Sequence, residues 1–124
     1  MNVWALLLLA RPWALAGPVW RAKSHLDKLH TKATVLIVPG LREHVAEHWQ
    51  THLAASLASV RSVPPLTQDK LNCRARVEAI AQALTQIDGP VILVAHSAGV
   101  LMTVHWALQH QHQIQGALLV TPPD

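Results

Sequence analysis

The 124-residue sequence predicts a single α/β domain in which about four parallel strands lie between layers of helix. Three observations predict it. Short Val/Ile/Leu-rich runs, "ATVLIV" at 33–38, "VILVAH" at 91–96 and "GALLV" at 116–120, read as strands, the first of them buried on both faces. The stretches between them carry apolar residues at helical spacing. The two patterns alternate along the chain, which is the signature of crossover connections between parallel strands.

The first strand ends at Pro39-Gly40, and a helix is expected from His44 to Ala58, with Val45, Trp49, Leu53 and Leu57 four apart on one stripe. "SVRSVPP" is a weaker strand cut off by Pro64 and Pro65. The second helix is expected from Asn72, a side chain suited to the N-cap, to Ile87. Its apolar face is Cys73, Val77, Ile80, Leu84 and Ile87, with Arg74, Arg76, Glu78 and Gln82 elsewhere, and Asp88-Gly89-Pro90 stops it. After "VILVAH", a third helix follows Ser97 with Val100, Leu101, Val104 and Leu108 facing inward, and it dissolves into "QHQHQIQG" before the last strand.

Composition narrows the function. The formal charge of +3 is concentrated in residues 1–32, which carry +4, while the remaining 92 residues carry −1. The body is therefore no basic platform for nucleic acid. Phe and Tyr are absent, which also speaks against base-stacking surfaces. The single cysteine, Cys73, offers no internal disulfide and no Cys-x-x-Cys pair, and it is expected as a buried free thiol on the second helix. Residues 1–32 read as an N-terminal extension outside the fold. "VWALLLLA" is short for a membrane span and is followed by Arg11 and Pro12. A secretory signal with a site at Ala14 to Ala16 is the alternative, although no basic side chain precedes the apolar run. The body is expected to be cytoplasmic.

The chemistry is expected at Ser97. A nucleophilic serine must stand clear of its own backbone beside donors for a developing oxyanion, and a sharp strand-to-helix turn supplies both. The turn is crowded, so the residues two before and two after must be small, and here they are Ala95 and Gly99. The result is A-x-S-x-G, one methyl group away from G-x-S-x-G.

"VLIVPGLREHVAEHWQ", "RSVPPL", "ILVAHSAG" and "LLVTPPD" together resemble the small α/β-hydrolase serine hydrolases related to retinoblastoma-binding protein nine, in their bacterial branch. The resemblance runs over residues 34–124 without a break. It implies a partial α/β-hydrolase fold with strand order 2-1-3-4 and a serine esterase chemistry on small carboxylic esters or related acyl substrates. It also implies an acyl-enzyme on Ser97 and no cofactor. Ala98, and Leu41 after the first strand, would supply the oxyanion N–H groups. Gly40 would let that loop approach the substrate. Arg42, just after the loop, reads as a solvated arginine, with contact to a substrate carboxylate as the alternative.

In this fold the acid and the histidine follow the nucleophile, and after Ser97 the sequence holds only His105, His110, His112 and Asp124. The three histidines are expected too far along the helix to act. Asp124, after the last strand, is the remaining candidate acid. His96 is expected to pack or cap a loop. The expectation is a C-terminally truncated hydrolase whose last strand has an open edge suited to self-association. An inert fold or interaction module is the non-enzymatic alternative. From another reaction class, "HVAEH" satisfies H-x-x-E-H, with His44, Glu47 and His48, extended by His52, as zinc-hydrolase candidates. A solvated histidine-rich helix face is the favoured reading there, so no metal is expected.

Overall fold

The structure, a computed structural model, describes residues 28–42 and 45–123. Its elements are β1 (Thr34–Val38), α1 (Trp49–Ser56), β2 (Val60–Ser62), α2 (Cys73–Thr85), β3 (Val91–His96), α3 (Ala98–Gln109) and β4 (Gly116–Val120). All strand pairs are parallel, and the sheet order is β2-β1-β3-β4. This is the expected partial α/β-hydrolase arrangement. β1 is central, with Val35 opposite both Val60 of β2 and Ile92 of β3, and β3 continues to β4 through Ala95 opposite Leu119.

Period-two alternation divides the strands between two cores. Leu36 and Val38 of β1 and Val91, Leu93 and Ala95 of β3 pack with Val77, Ile80 and Leu84 of α2 and Val100 and Trp106 of α3. Val35, Ile37 and Val94 face the other way, onto Trp49, Leu53 and Ala54 of α1 and onto Leu57. α1 therefore covers one face while α2 and α3 cover the other. Leu36, Ile80, Leu84 and Leu93 are fully buried, and each such side chain contributes roughly 1.5–3 kcal/mol.

α2 begins as its sequence directs: Asn72 Oδ1 accepts the Ala75 N–H at 2.9 Å. Three expectations need correction. α1 starts at Trp49 rather than His44, because His48 is its N-cap, in extended conformation, with the ring nitrogen Nδ1 accepting the Gln50 N–H at 3.3 Å. Cys73 is exposed, since it sits in the first turn of α2, before the helix reaches the sheet. On α3 the buried residues are Gly99, Val100, Thr103 and Trp106, whereas Leu101, Val104 and Leu108 are exposed. The entry turn at Ser97 sets that rotation by pressing Gly99 against the end of β1.

Of residues 1–32, Leu29 forms a single parallel bridge with Leu57, and residues 1–27 lie outside the described residues. Among the described residues no helix is long and apolar enough to cross a membrane.

Candidate active site

The chain leaves β1 toward α1 on one face and leaves the neighbouring β3 toward α3 on the other. The carboxyl ends of β1 and β3 thus form a topological switch point, the place where open parallel sheets form a ligand crevice. Ser97 stands there. Its backbone has φ 52° and ψ −124°, a conformation that an L-residue adopts at a cost of about 1–3 kcal/mol. What holds it is visible: the Ser97 N–H donates to Val120 O at 3.0 Å, and its carbonyl accepts from the Val100 N–H at 2.9 Å. The hydroxyl makes no capping bond to its own helix.

The small residues around Ser97 have measurable reasons. A Cβ at Gly99 would strike the carbonyl oxygens of Val38 and Pro39, the latter at 2.6 Å. Ala95 is fully buried in register with Val38 and Leu119. A Cβ at Gly40 would lie 3.4 Å from the Ser97 Cβ, so the loop after β1 passes directly over the serine. Ala98 is the first residue of α3, and its N–H is among those an α-helix leaves without an intrahelical partner. Leu41 follows Gly40 at the half-exposed surface.

Two residues that were not among the expected site residues hold this loop and the strand ends beneath it. Arg76, 9% exposed, reaches across from α2, and its guanidinium donates to Pro39 O and Gly40 O, both at 3.2 Å, and to Lys70 O at 3.3 Å. The trans peptide of Gly40 and Leu41 points its C=O and N–H in opposite directions. Holding the Gly40 carbonyl toward Arg76 therefore turns the Leu41 N–H away from it. Gln50, 4% exposed, donates from Nε2 to Val38 O at 3.3 Å and Val94 O at 3.1 Å, tying the ends of β1 and β3 to α1. A signal for both was present. Arg76 lies four residues before Ile80 and eight before Leu84 on the buried stripe, and Gln50 lies three and four before Leu53 and Ala54.

His96 falls on the α1 face, where its ring meets His48 edge-on at 4.4 Å and Trp49 at 5.9 Å between centroids. Burial, followed by the neighbouring His48, lowers its pKa below the ordinary 6.5. The packing role expected of it is what the structure shows.

Other candidates are not brought to Ser97. His105 and His112 are exposed, and His110 stacks on Trp106 with an interplanar angle of 11°. Among the described residues no histidine or carboxylate hydrogen-bonds the Ser97 hydroxyl. Asp124 and His44 lie outside the described residues. Val45 to His48 precede α1, so this part of the H-x-x-E-H pattern is not laid out on a helix. His48 Nδ1 is committed to the cap, and Glu47 faces His52 at 3.8 Å on the exposed surface.

A family model described as serine hydrolase matches residues 35–124, nearly three quarters of the chain. The chain belongs to the serine hydrolase family. Among solved structures, this member is similar to a YdeN-like hydrolase from Pectobacterium atrosepticum, at 33% identity and a TM-score of 0.69. That match covers 75% of this chain and 50% of the other, so the chain spans about half the length of the hydrolase it matches. Among curated proteins none matches it.

Proposed function

We propose that Ser97 is the nucleophile of a serine hydrolase that cleaves small carboxylic esters or related acyl compounds through an acyl-enzyme. The Ser97 backbone carries this reading: a non-glycine residue at φ 52° between β3 and α3 is held against its own preference by Val120 and by the β1 end. Such strain persists where the surrounding structure enforces it, and a nucleophile elbow is the arrangement it serves here. The kinship with the relatives of retinoblastoma-binding protein nine belongs to the same reading.

In the reaction, the Ser97 oxygen attacks the substrate carbonyl as a general base takes its proton, and the carbonyl oxygen becomes an oxyanion. The N–H groups of Ala98 and Leu41 receive that charge, the first because a helix start leaves it unpaired, the second because Arg76 fixes the Gly40 carbonyl. Each such donor contributes about 10²–10³ in rate. Collapse of the intermediate expels the alcohol, and water then releases the acid. In this reading Ser97, Ala98 and Leu41 are the nucleophile and oxyanion portion of the cycle. The test is labelling of the full chain by a fluorophosphonate probe. Ser97 is labelled in the wild type and Ser97→Ala abolishes the adduct; a folded chain that takes no label overturns the reading.

A further inference from the structure

Beside the loop that covers Ser97 lies a second feature, a cavity of about 250 Å³ between the end of β1, the start of α1 and the segment after β2. That volume is many times what one water requires. Its floor includes the buried Ile37 and Val63 and the buried amide of Gln50, with Ala54 beside them, and the polar side chains of Arg42, His48, Thr51 and Ser62 also line it. Pro39 forms part of its wall and Gly40, the next residue, packs over Ser97, so cavity and serine share one loop.

The charge in this cavity is one-sided. Arg42 is its fixed cation, and no carboxylate lines it among the described residues. Arg42 also has no hydrogen-bond or ion-pair partner among the described residues, in contrast to Arg76, whose terminal nitrogens donate to three carbonyls. The Thr51 hydroxyl donates to Val45 O at 2.7 Å, which leaves its lone pairs, and not its proton, facing outward. The anion-binding capacity of the cavity therefore rests on Arg42 and the Ser62 hydroxyl, with the His48 ring, whose Nδ1 accepts from the Gln50 N–H, as a further polar group on the lining.

We propose that this cavity is a carboxylate-binding subsite of the Ser97 centre, taking the free carboxylate of an acyl group such as the monoester of a short dicarboxylic acid. The proposal rests on the assignment of Ser97 as nucleophile and adds the chemical class of the acyl group. The apolar side chains of the floor pack the methylene chain, and Arg42 pairs with the far carboxylate in the bidentate geometry that guanidinium favours. The scissile carbonyl then lies toward Gly40 and Ser97.

The experiment titrates the full chain with glutarate, with neutral glutaramide as control, by isothermal calorimetry and by ¹⁵N NMR on wild type, Arg42→Gln and Arg42→Lys. Glutarate is expected to bind saturably and to move the resonances of Thr51 and Ser62. Affinity is expected to fall about tenfold in Arg42→Gln, with part of it kept in Arg42→Lys. Absent binding, equal binding by glutaramide, or affinity unchanged in Arg42→Gln overturns the subsite. Fluorophosphonate labelling is read on the same samples: glutarate binding without Ser97 labelling removes the nucleophile assignment and leaves the carboxylate site standing. Labelling without glutarate binding does the reverse.

Discussion

Replacing Gly99 by alanine tests the crowding on which the Ser97 turn depends. The added Cβ would stand 2.6 Å from Pro39 O, 3.1 Å from Pro39 C and closer still to Val38 O, all backbone atoms. None can yield cheaply. Val38 closes the β1–β3 ladder opposite Ala95, Gln50 donates to its carbonyl, and Pro39 O accepts from Arg76. Separating α3 from the β1 end carries an overpacking cost of about 1–3 kcal/mol. Weakening the Arg76 bond to Pro39 adds about 1 kcal/mol. The expected loss is therefore about 3 kcal/mol, a large share of the roughly 5–15 kcal/mol that stabilises an ordinary domain. Urea unfolding followed by the fluorescence of Trp49 and Trp106 measures it, with a midpoint shift of about 1 M or more expected. Gly116→Ala is the internal control, because nothing lies within 4 Å of a Cβ there. It is expected to stay within about 0.5 kcal/mol of the wild type. A Gly99→Ala chain as stable as the control refutes the reasoning.

Three further outcomes follow from the same geometry. Ser97→Gly relieves the positive φ and is expected to raise stability by about 1 kcal/mol in the same urea assay while abolishing labelling. Arg76→Met removes the donors to Pro39, Gly40 and Lys70, so a loss of about 2–3 kcal/mol is expected, with Ser97 labelling slowed at least tenfold as the Leu41 N–H loses its orientation. Full labelling rate in a destabilised Arg76→Met chain would show that Arg76 supports the fold alone. Because the folded chain lowers the His96 pKa, it binds fewer protons than the unfolded chain just below pH 6.5, and stability falls as pH drops from there through the lowered value. Thermal melts between pH 7 and pH 5 should show that decline, and His96→Asn should flatten it.

β1 and β3 were legible because each is a contiguous apolar run covered on both faces. β4 is an apolar run too, but as an edge strand it leaves Ala117 and Leu119 exposed, and β2, Val60–Ser62, carries the weaker signal of a short segment. Ser97 was legible because small residues at 95 and 99 have one shared physical reason. The start of α1 was not, since His48 caps it with a ring nitrogen, and a histidine cap looks like any other polar position in a helical pattern. Arg76 was placed off the apolar face of α2, yet its spacing to Ile80 and Leu84 puts it on the buried stripe, where its terminal nitrogens donate to three carbonyls. On α3, both Leu101-Val104-Leu108 and Gly99-Thr103-Trp106 make plausible stripes beside Val100. The contact of Gly99 with the β1 end selects the second, and that contact is a tertiary fact absent from the helix's own sequence.

The central claim, that the fold strains and presents Ser97 for attack, is tested most directly by intact mass spectrometry of the full chain after exposure to a fluorophosphonate. A single adduct is expected, located at Ser97 by peptide mapping and lost in Ser97→Ala. A chain with native circular dichroism and a cooperative urea transition that gains no adduct, or gains it at another residue, would contradict it.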